Sequence, residues 1–233
     1  MKIISQEEIK ALVAAVDYSE ALTITATGDD VLEACRYAKL YGFRSVAAFP
    51  HHLEKVVREV EGSGTLAMIV VGFPCGGNTT EMKCREAEEG LKRGATDLDM
   101  VMNLGAFKSG DYEGVAEEIK KVLAVAKPFG VPCKVIVEVG ALTEEEKITA
   151  ANLVADAGAT FIKTCTGFGP GRATLHDIML FKETVGDRIG IKASGGVTSI
   201  EDGVAFMRAG AGVVAMRKPL VEQLEKIHWE PSQ

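Results

Sequence analysis

Residues 96–103 read TDLDMVMN and lie between two helical runs, TEMKCREAEEGLKRG (80–94) and YEGVAEEIKKVLAVAK (112–127). Side chains alternate along an extended chain, so Asp97, Asp99 and Val101 share one face and Leu98, Met100 and Met102 the other. Helices can cover only the apolar face. The charged face must then point away from them, and a closed barrel supplies an interior for it.

Seven further apolar, β-rich runs surround this one: 14–19, 45–49, 66–73, 133–139, 160–165, 189–194 and 212–216. They alternate with amphipathic stretches, among them 143–158 and 199–210, which is the pattern of a parallel sheet wrapped by helices. Start and stop signals mark several helices. Thr143 with Glu146 and Ser5 with Glu8 are capping boxes, Ser199 with Asp202 opens an acidic first turn, and Gly94, Gly158 and Gly210 stand where a helix end needs a left-handed residue. Eight strands in 233 residues predict a single (β/α)₈ TIM barrel over 1–233, with an extra N-terminal helix at 5–13 and a site at the carboxyl ends of the strands. A doubly wound open sheet is the runner-up, but DYSEALTITATGDD after the first strand lacks the Gly-rich G-x-G-x-x-G turn.

Composition narrows the function. A net charge of -7 and a pI near 5.3 argue against nucleic acid or an anionic membrane as partner and favour a small-molecule substrate. The opening MKIISQEEIKALVAAV carries acidic residues where a signal peptide needs a basic and then apolar stretch, and no segment reaches membrane-spanning length, so a cytoplasmic protein is expected. Five cysteines without a CxxC pair read as free thiols, and no His, Cys or carboxylate spacing suggests a metal. His51 and His52 read as a solvated loop, Cys165 as a small buried hydrophobe, and Asp111 and the run EEIKK (117–121) as solvated faces.

The alternation argument extends to other strands. It groups Lys134, Ile136 and Glu138, and places Lys163 with Phe161, so Asp99, Lys134, Glu138, Lys163 and Lys192 should converge near the barrel axis. An interior salt-bridge network without chemistry would be a costly filling, because buried ion pairs contribute little net stability. Two lysines on adjacent strands, Lys163 and Lys192, disfavour each other's charge. One amine then becomes neutral near neutral pH, as imine formation with an aldehyde requires.

The segments VDYS, GFRSVAAFP (42–50), VGFPCGGNTTEMKCREAEEGLKRGATDLDMVMNLGAFKSGDY (71–112), KVIVEVGALTEEEK (134–147), GATFIKTCTGFGPGRAT (158–174) and VGDRIGIKASGGVTSIEDG (185–203) together resemble the deoxyribose-phosphate aldolase family of Schiff-base lyases. The resemblance implies that Lys163 forms the imine, that Lys192 lowers its pKa, and that Asp99 works the proton transfers through a bound water. Cleavage of 2-deoxyribose 5-phosphate to acetaldehyde and glyceraldehyde 3-phosphate is implied, with the carbanion held as an enamine and neither metal nor cofactor required. It further implies substrate-side places for Asp17, Lys134, Thr166 and Gly167.

The turn after the eighth strand departs from the family. Where its members carry a Gly-Thr-Ser-Ser-Gly-like phosphate loop, this chain reads Met216-Arg217-Lys218-Pro219. Either Arg217 and Lys218 bind the phosphate by side-chain charge, with Gly195 and Gly196 forming the other half of the site, or the substrate is a different aldehyde or ketose. VAAFPHH departs too, where the family often has a cysteine and an asparagine or histidine before the proline. The same barrel could also serve as a noncatalytic metabolite-binding protein, or as a sugar-phosphate isomerase or epimerase using carboxylate bases. Association into a homo-oligomer through outer helices is compatible with such a barrel, and Trp229 in IHWEPSQ is expected to cover a helix or a neighbour's surface.

Overall fold

The computed structural model describes residues 4–229. Eight parallel strands close into a barrel in simple sequential order, β1 pairing with both β2 and β8. They are β1 (Val16–Tyr18), β2 (Ser45–Ala48), β3 (Leu66–Val71), β4 (Asp97–Val101), β5 (Cys133–Ile136), β6 (Phe161–Lys163), β7 (Gly190–Ala193) and β8 (Val213–Met216). Each lies inside a run expected from the sequence.

Ten α-helices accompany them among the described residues. The expected ones are α1 (Gln6–Ala14), α4 (Thr80–Lys92), α6 (Tyr112–Ala126), α7 (Glu144–Asp156) and α9 (Ile200–Ala209). The others are α2 (Gly28–Tyr41), α3 (Leu53–Val60), α5 (Leu104–Lys108), α8 (Leu175–Val185) and α10 (Lys218–Lys226). Both capping boxes form, at Ser5 and at Thr143, each replacing orphan backbone partners for about 0.5–2 kcal/mol. Gly94, Gly158 and Gly210 have φ of 99°, 88° and 123°, as helix ends require. Helix α1 is fastened to α9 by Arg208, whose guanidinium donates to both carboxylate oxygens of Glu8. None of the helices is long and apolar enough to cross a membrane among the described residues.

The two faces of the sheet separate by chemistry as the period of two demands. Outward-pointing Leu98, Met100, Val135, Ile162, Ile191 and Val214 join one continuous apolar cluster with the helices. Inward-pointing Ala47, Met68 and Val70 form a separate, small cluster with Leu22. The rest of the interior is filled largely by charge.

One expectation about surface charge is corrected. Glu118, in the run expected to be a solvated face, is buried and pairs with the buried Lys83 at 2.7 Å. Lys83 also donates to the carbonyl of Val101 at 2.8 Å, and Glu118 accepts the N–H of Asn103, so the pair ties α4 and α6 to the exit of β4. Asp111 is the N-cap of α6, accepting from Gly114. Trp229 packs half-buried against the apolar cluster; residues 230–233 lie outside the described part. Ile162 is fully buried between sheet and helices, so Ile162→Ala should lower the unfolding free energy by about 2–5 kcal/mol in a urea titration.

Candidate active site

The alternation that buries apolar side chains outside the barrel brings acids and bases together inside it. Strand register sets the pairs: Asp99 lies opposite Lys134, and Lys163 opposite Lys192. Asp99 Oδ2 accepts from both Lys163 Nζ and Lys192 Nζ at 2.7 Å, while its Oδ1 lies 3.0 Å from Lys134 Nζ. Lys192 also pairs with Asp17, and Lys134 with Asp97. Toward the amino ends of the strands, Arg44 Nη1 contacts Asp17 and Asp97, each at 2.6 Å, and Ser45 donates to Asp17. Met68 Sδ faces Lys134 and Lys192 at 3.7 and 3.6 Å as a weak acceptor.

Four cations (Arg44, Lys134, Lys163, Lys192) thus share three carboxylates (Asp17, Asp97, Asp99). In so enclosed a space an excess proton is expensive, and the least supported cation gives it up most readily. That cation is Lys163. Among the described residues its only carboxylate partner is one oxygen of Asp99, which Lys192 uses as well. Burial, reinforced by the charge of Lys192 and only partly opposed by Asp99, lowers the Lys163 pKa to about 8. At pH 7 about one molecule in ten would then carry the free amine. The neighbours go the other way. Burial opposes charge at Lys134 too, but the pull of Asp99, Asp17 and Asp97 outweighs it and raises its pKa. Despite their burial, Asp17 and Asp99 are held ionised far below the usual carboxylate range, Asp17 chiefly by Lys192 and Asp99 chiefly by Lys134.

Above this network a cavity of about 330 Å³ opens at the carboxyl ends of the strands. Lys163 forms part of its floor, and the predicted contacts Thr166, Gly167, Gly195, Gly196, Arg217 and Lys218 all line it. Gly195 and Gly196 have φ of 99° and 83°, and a Cβ would meet Cys165 at 2.9 Å or Arg172 at 2.7 Å. Only glycine allows the chain to turn there. Asp17 and Lys134, placed on the substrate side by the family resemblance, do not line the cavity. Both are wholly buried in the network: Lys134 pairs with Asp99, and Asp17 pairs with Lys192.

Glu138 also departs from expectation. Strand β5 ends at Ile136, so alternation no longer governs Glu138, which adopts a left-handed φ of 55°. Its Oε2 accepts from the N–H and the hydroxyl of Thr166, and that hydroxyl accepts from the N–H groups of Phe168 and Gly169. Glu138 therefore holds the loop after β6 rather than joining the lysines. Burial raises the Cys165 thiol to about 12, which suits a packing role. His52 bonds to the carbonyl of Ala26 in a short turn after β2. No group of three or more His, Cys, Asp or Glu among the described residues could hold a metal ion.

Sequence reasoning missed Arg44, Ser45 and Glu20 and gave Asp97 no part. Alternation did turn Asp97 inward. Nothing in the sequence announced Arg44, which precedes its strand and reaches the interior only through the barrel's open amino end.

Residues 11–220 match the profile described as DeoC/LacD family aldolase. The chain belongs to this family. It is 42% identical over 205 residues to the deoxyribose-phosphate aldolase of Thermoanaerobacter sp. (strain X514), covering 87% of this chain and 92% of that protein. With the deoxyribose-phosphate aldolase of Aciduliprofundum boonei it shares 37% over 222 residues, 94% of this chain and all of the relative. Among solved structures, the deoxyribose phosphate aldolase of Aeropyrum pernix, described as a tetramer, superposes with a TM-score of 0.85 at 28% identity, covering 97% of this chain and 99% of that one. An interior built from lysines and aspartates is thus the interior of a family aldolase.

Removing a carboxylate would worsen the charge imbalance. Asp97→Ala leaves Lys134 with Asp99 and Arg44 with Asp17 but each one carboxylate short, and should cost about 3–5 kcal/mol of unfolding free energy, measured by urea denaturation. Lys163→Met removes the surplus cation at similar volume, so its unfolding midpoint should equal or exceed the parent's.

Proposed function

We propose that this chain is a lyase that cleaves 2-deoxyribose 5-phosphate reversibly to acetaldehyde and glyceraldehyde 3-phosphate through an imine on Lys163. One observation carries the assignment. Lys163 alone among the buried charged side chains of the described residues lines the cavity, and burial lowers its pKa, whereas that of its interior neighbour Lys134 is raised. The aldolase names of the relatives support the substrate.

The free amine of Lys163 attacks C1 of the open-chain sugar, and the carbinolamine loses water to give an iminium ion. That cation stands where Asp99 already accepts from Nζ, so the carboxylate stabilises the charge that develops. The 3-hydroxyl then loses its proton, the C2–C3 bond breaks, and its electron pair moves towards the iminium nitrogen as an enamine. Glyceraldehyde 3-phosphate leaves. Protonation at C2 and hydrolysis of the imine release acetaldehyde and restore the amine. Asp99 Oδ2, bonded to both amines, is placed to pass a proton between Lys163 and Lys192. The Aeropyrum tetramer supports self-association of this chain as well, which light scattering would read.

Borohydride added with 2-deoxyribose 5-phosphate should leave a reduced adduct on Lys163, located by peptide mass, and Lys163→Met should lose both adduct and turnover. An unmodified Lys163 in a protein that turns over would remove this mechanism. Because the nucleophile is the neutral amine, kcat/KM should rise with pH and level off above about 8. In Lys192→Met a neighbouring cation disappears, the ammonium form of Lys163 is less disfavoured, and the inflection should move to higher pH. A profile identical to the parent's would show that Lys192 does not tune the nucleophile.

A further inference from the structure

We infer that Glu20 is a specificity-determining residue: its carboxylate takes the place of a substrate's terminal anion at the far end of the cavity, so a phosphorylated substrate has to displace it. This deepens the aldolase reading above and rests on it.

Glu20 begins the short turn after β1 and lines the cavity, as Lys163 does. Its Oε2 accepts the N–H of Lys218 at 2.9 Å. Lys218 is the first residue of α10, and Pro219 follows it, so the next position of that first turn offers no donor. The carboxylate thus engages a backbone donor at the end of the cavity where the charge of Arg217 and Lys218 invites an anion. Those two side chains are committed elsewhere. Arg217 Nη1 lies 3.4 Å from Thr23 Oγ1, and Lys218 Nζ lies 3.8 Å from Glu33 Oε2. In the basic turn that replaces a Gly-Ser loop, Lys218 is therefore met by two acids of the chain itself, Glu20 at its N–H and Glu33 at its Nζ. Glu20 is only half-buried, so it can swing outward, whereas the interior carboxylates are fixed by several partners each.

A structural cap and a competitor for phosphate make opposite predictions when the charge is removed. Glu20→Gln keeps an oxygen able to accept from Lys218 but removes the negative charge. A like charge a few ångströms from a dianion is worth about tenfold or more in affinity even in a surface environment. Calorimetric titration of the full chain with inorganic phosphate near neutral pH should therefore show at least about tenfold tighter binding to Glu20→Gln than to the parent. The ratio of kcat/KM for 2-deoxyribose 5-phosphate to that for 2-deoxyribose should rise by a similar factor. Equal or weaker phosphate binding in the variant, or none to either protein, would overturn the inference. Absence of a borohydride-trapped adduct in the parent would instead count against the imine mechanism, and the phosphate isotherms would still decide the role of Glu20.

Discussion

One carboxylate, that of Asp99, is shared by three amines, and the chemistry of the barrel interior depends on that sharing. Lys134 holds one oxygen; Lys163 and Lys192 divide the other. Asp17 and Asp97 complete the compensation for Lys192, Lys134 and Arg44 and leave nothing more for Lys163. Burial forbids the unmatched charge, so the amine that faces the cavity is the one that gives up its proton. The lowered pKa of Lys163 comes from a deficit of one carboxylate in an otherwise matched, buried network.

The same network explains why the floor and the rim of the cavity obey different rules. The floor is built on strands, where the charged side chains are locked by register and packing and Asp99 binds lysines from three other strands. Its geometry is stiff, as a catalytic constellation requires. The rim is built on loops, with left-handed glycines after β6 and β7 and the basic turn after β8. There the contacts are single, half-exposed and separately adjustable. Glu20, Arg217 and Lys218 line the cavity without contacting the lysine–aspartate core. Glu138 links the two regions, since its buried carboxylate at the end of β5 anchors the loop that carries Thr166 and Gly167.

Much of this is legible in the sequence because it depends on local periodicity. TDLDMVMN and its counterparts specify strands by alternation, capping residues mark helix starts, and charge on the face opposite the apolar one implies an interior that tolerates ions. From those rules follow the eight strands, the barrel, and the convergence of Asp99, Lys134, Lys163 and Lys192. The rules stop where alternation stops. Glu138 lies two residues past the end of its strand, where the period that points it inward no longer applies, and Glu118 looks solvated because its partner Lys83 lies 35 residues away.

The sequence by itself determined which side chains face inward and that lysines must meet aspartates there, since a period of two and the cost of buried charge are local and general. Only the tertiary structure decided how four cations divide three carboxylates, and hence which of these lysines gives up its proton most readily. It also decided that Asp17 and Lys134 are buried away from the cavity lining, that Arg44 enters from the amino end, and that Glu20 meets the start of α10. Those outcomes depend on the stagger between strands and on loops that bring residues nearly 200 positions apart into contact, distances that no repeating pattern along the chain encodes.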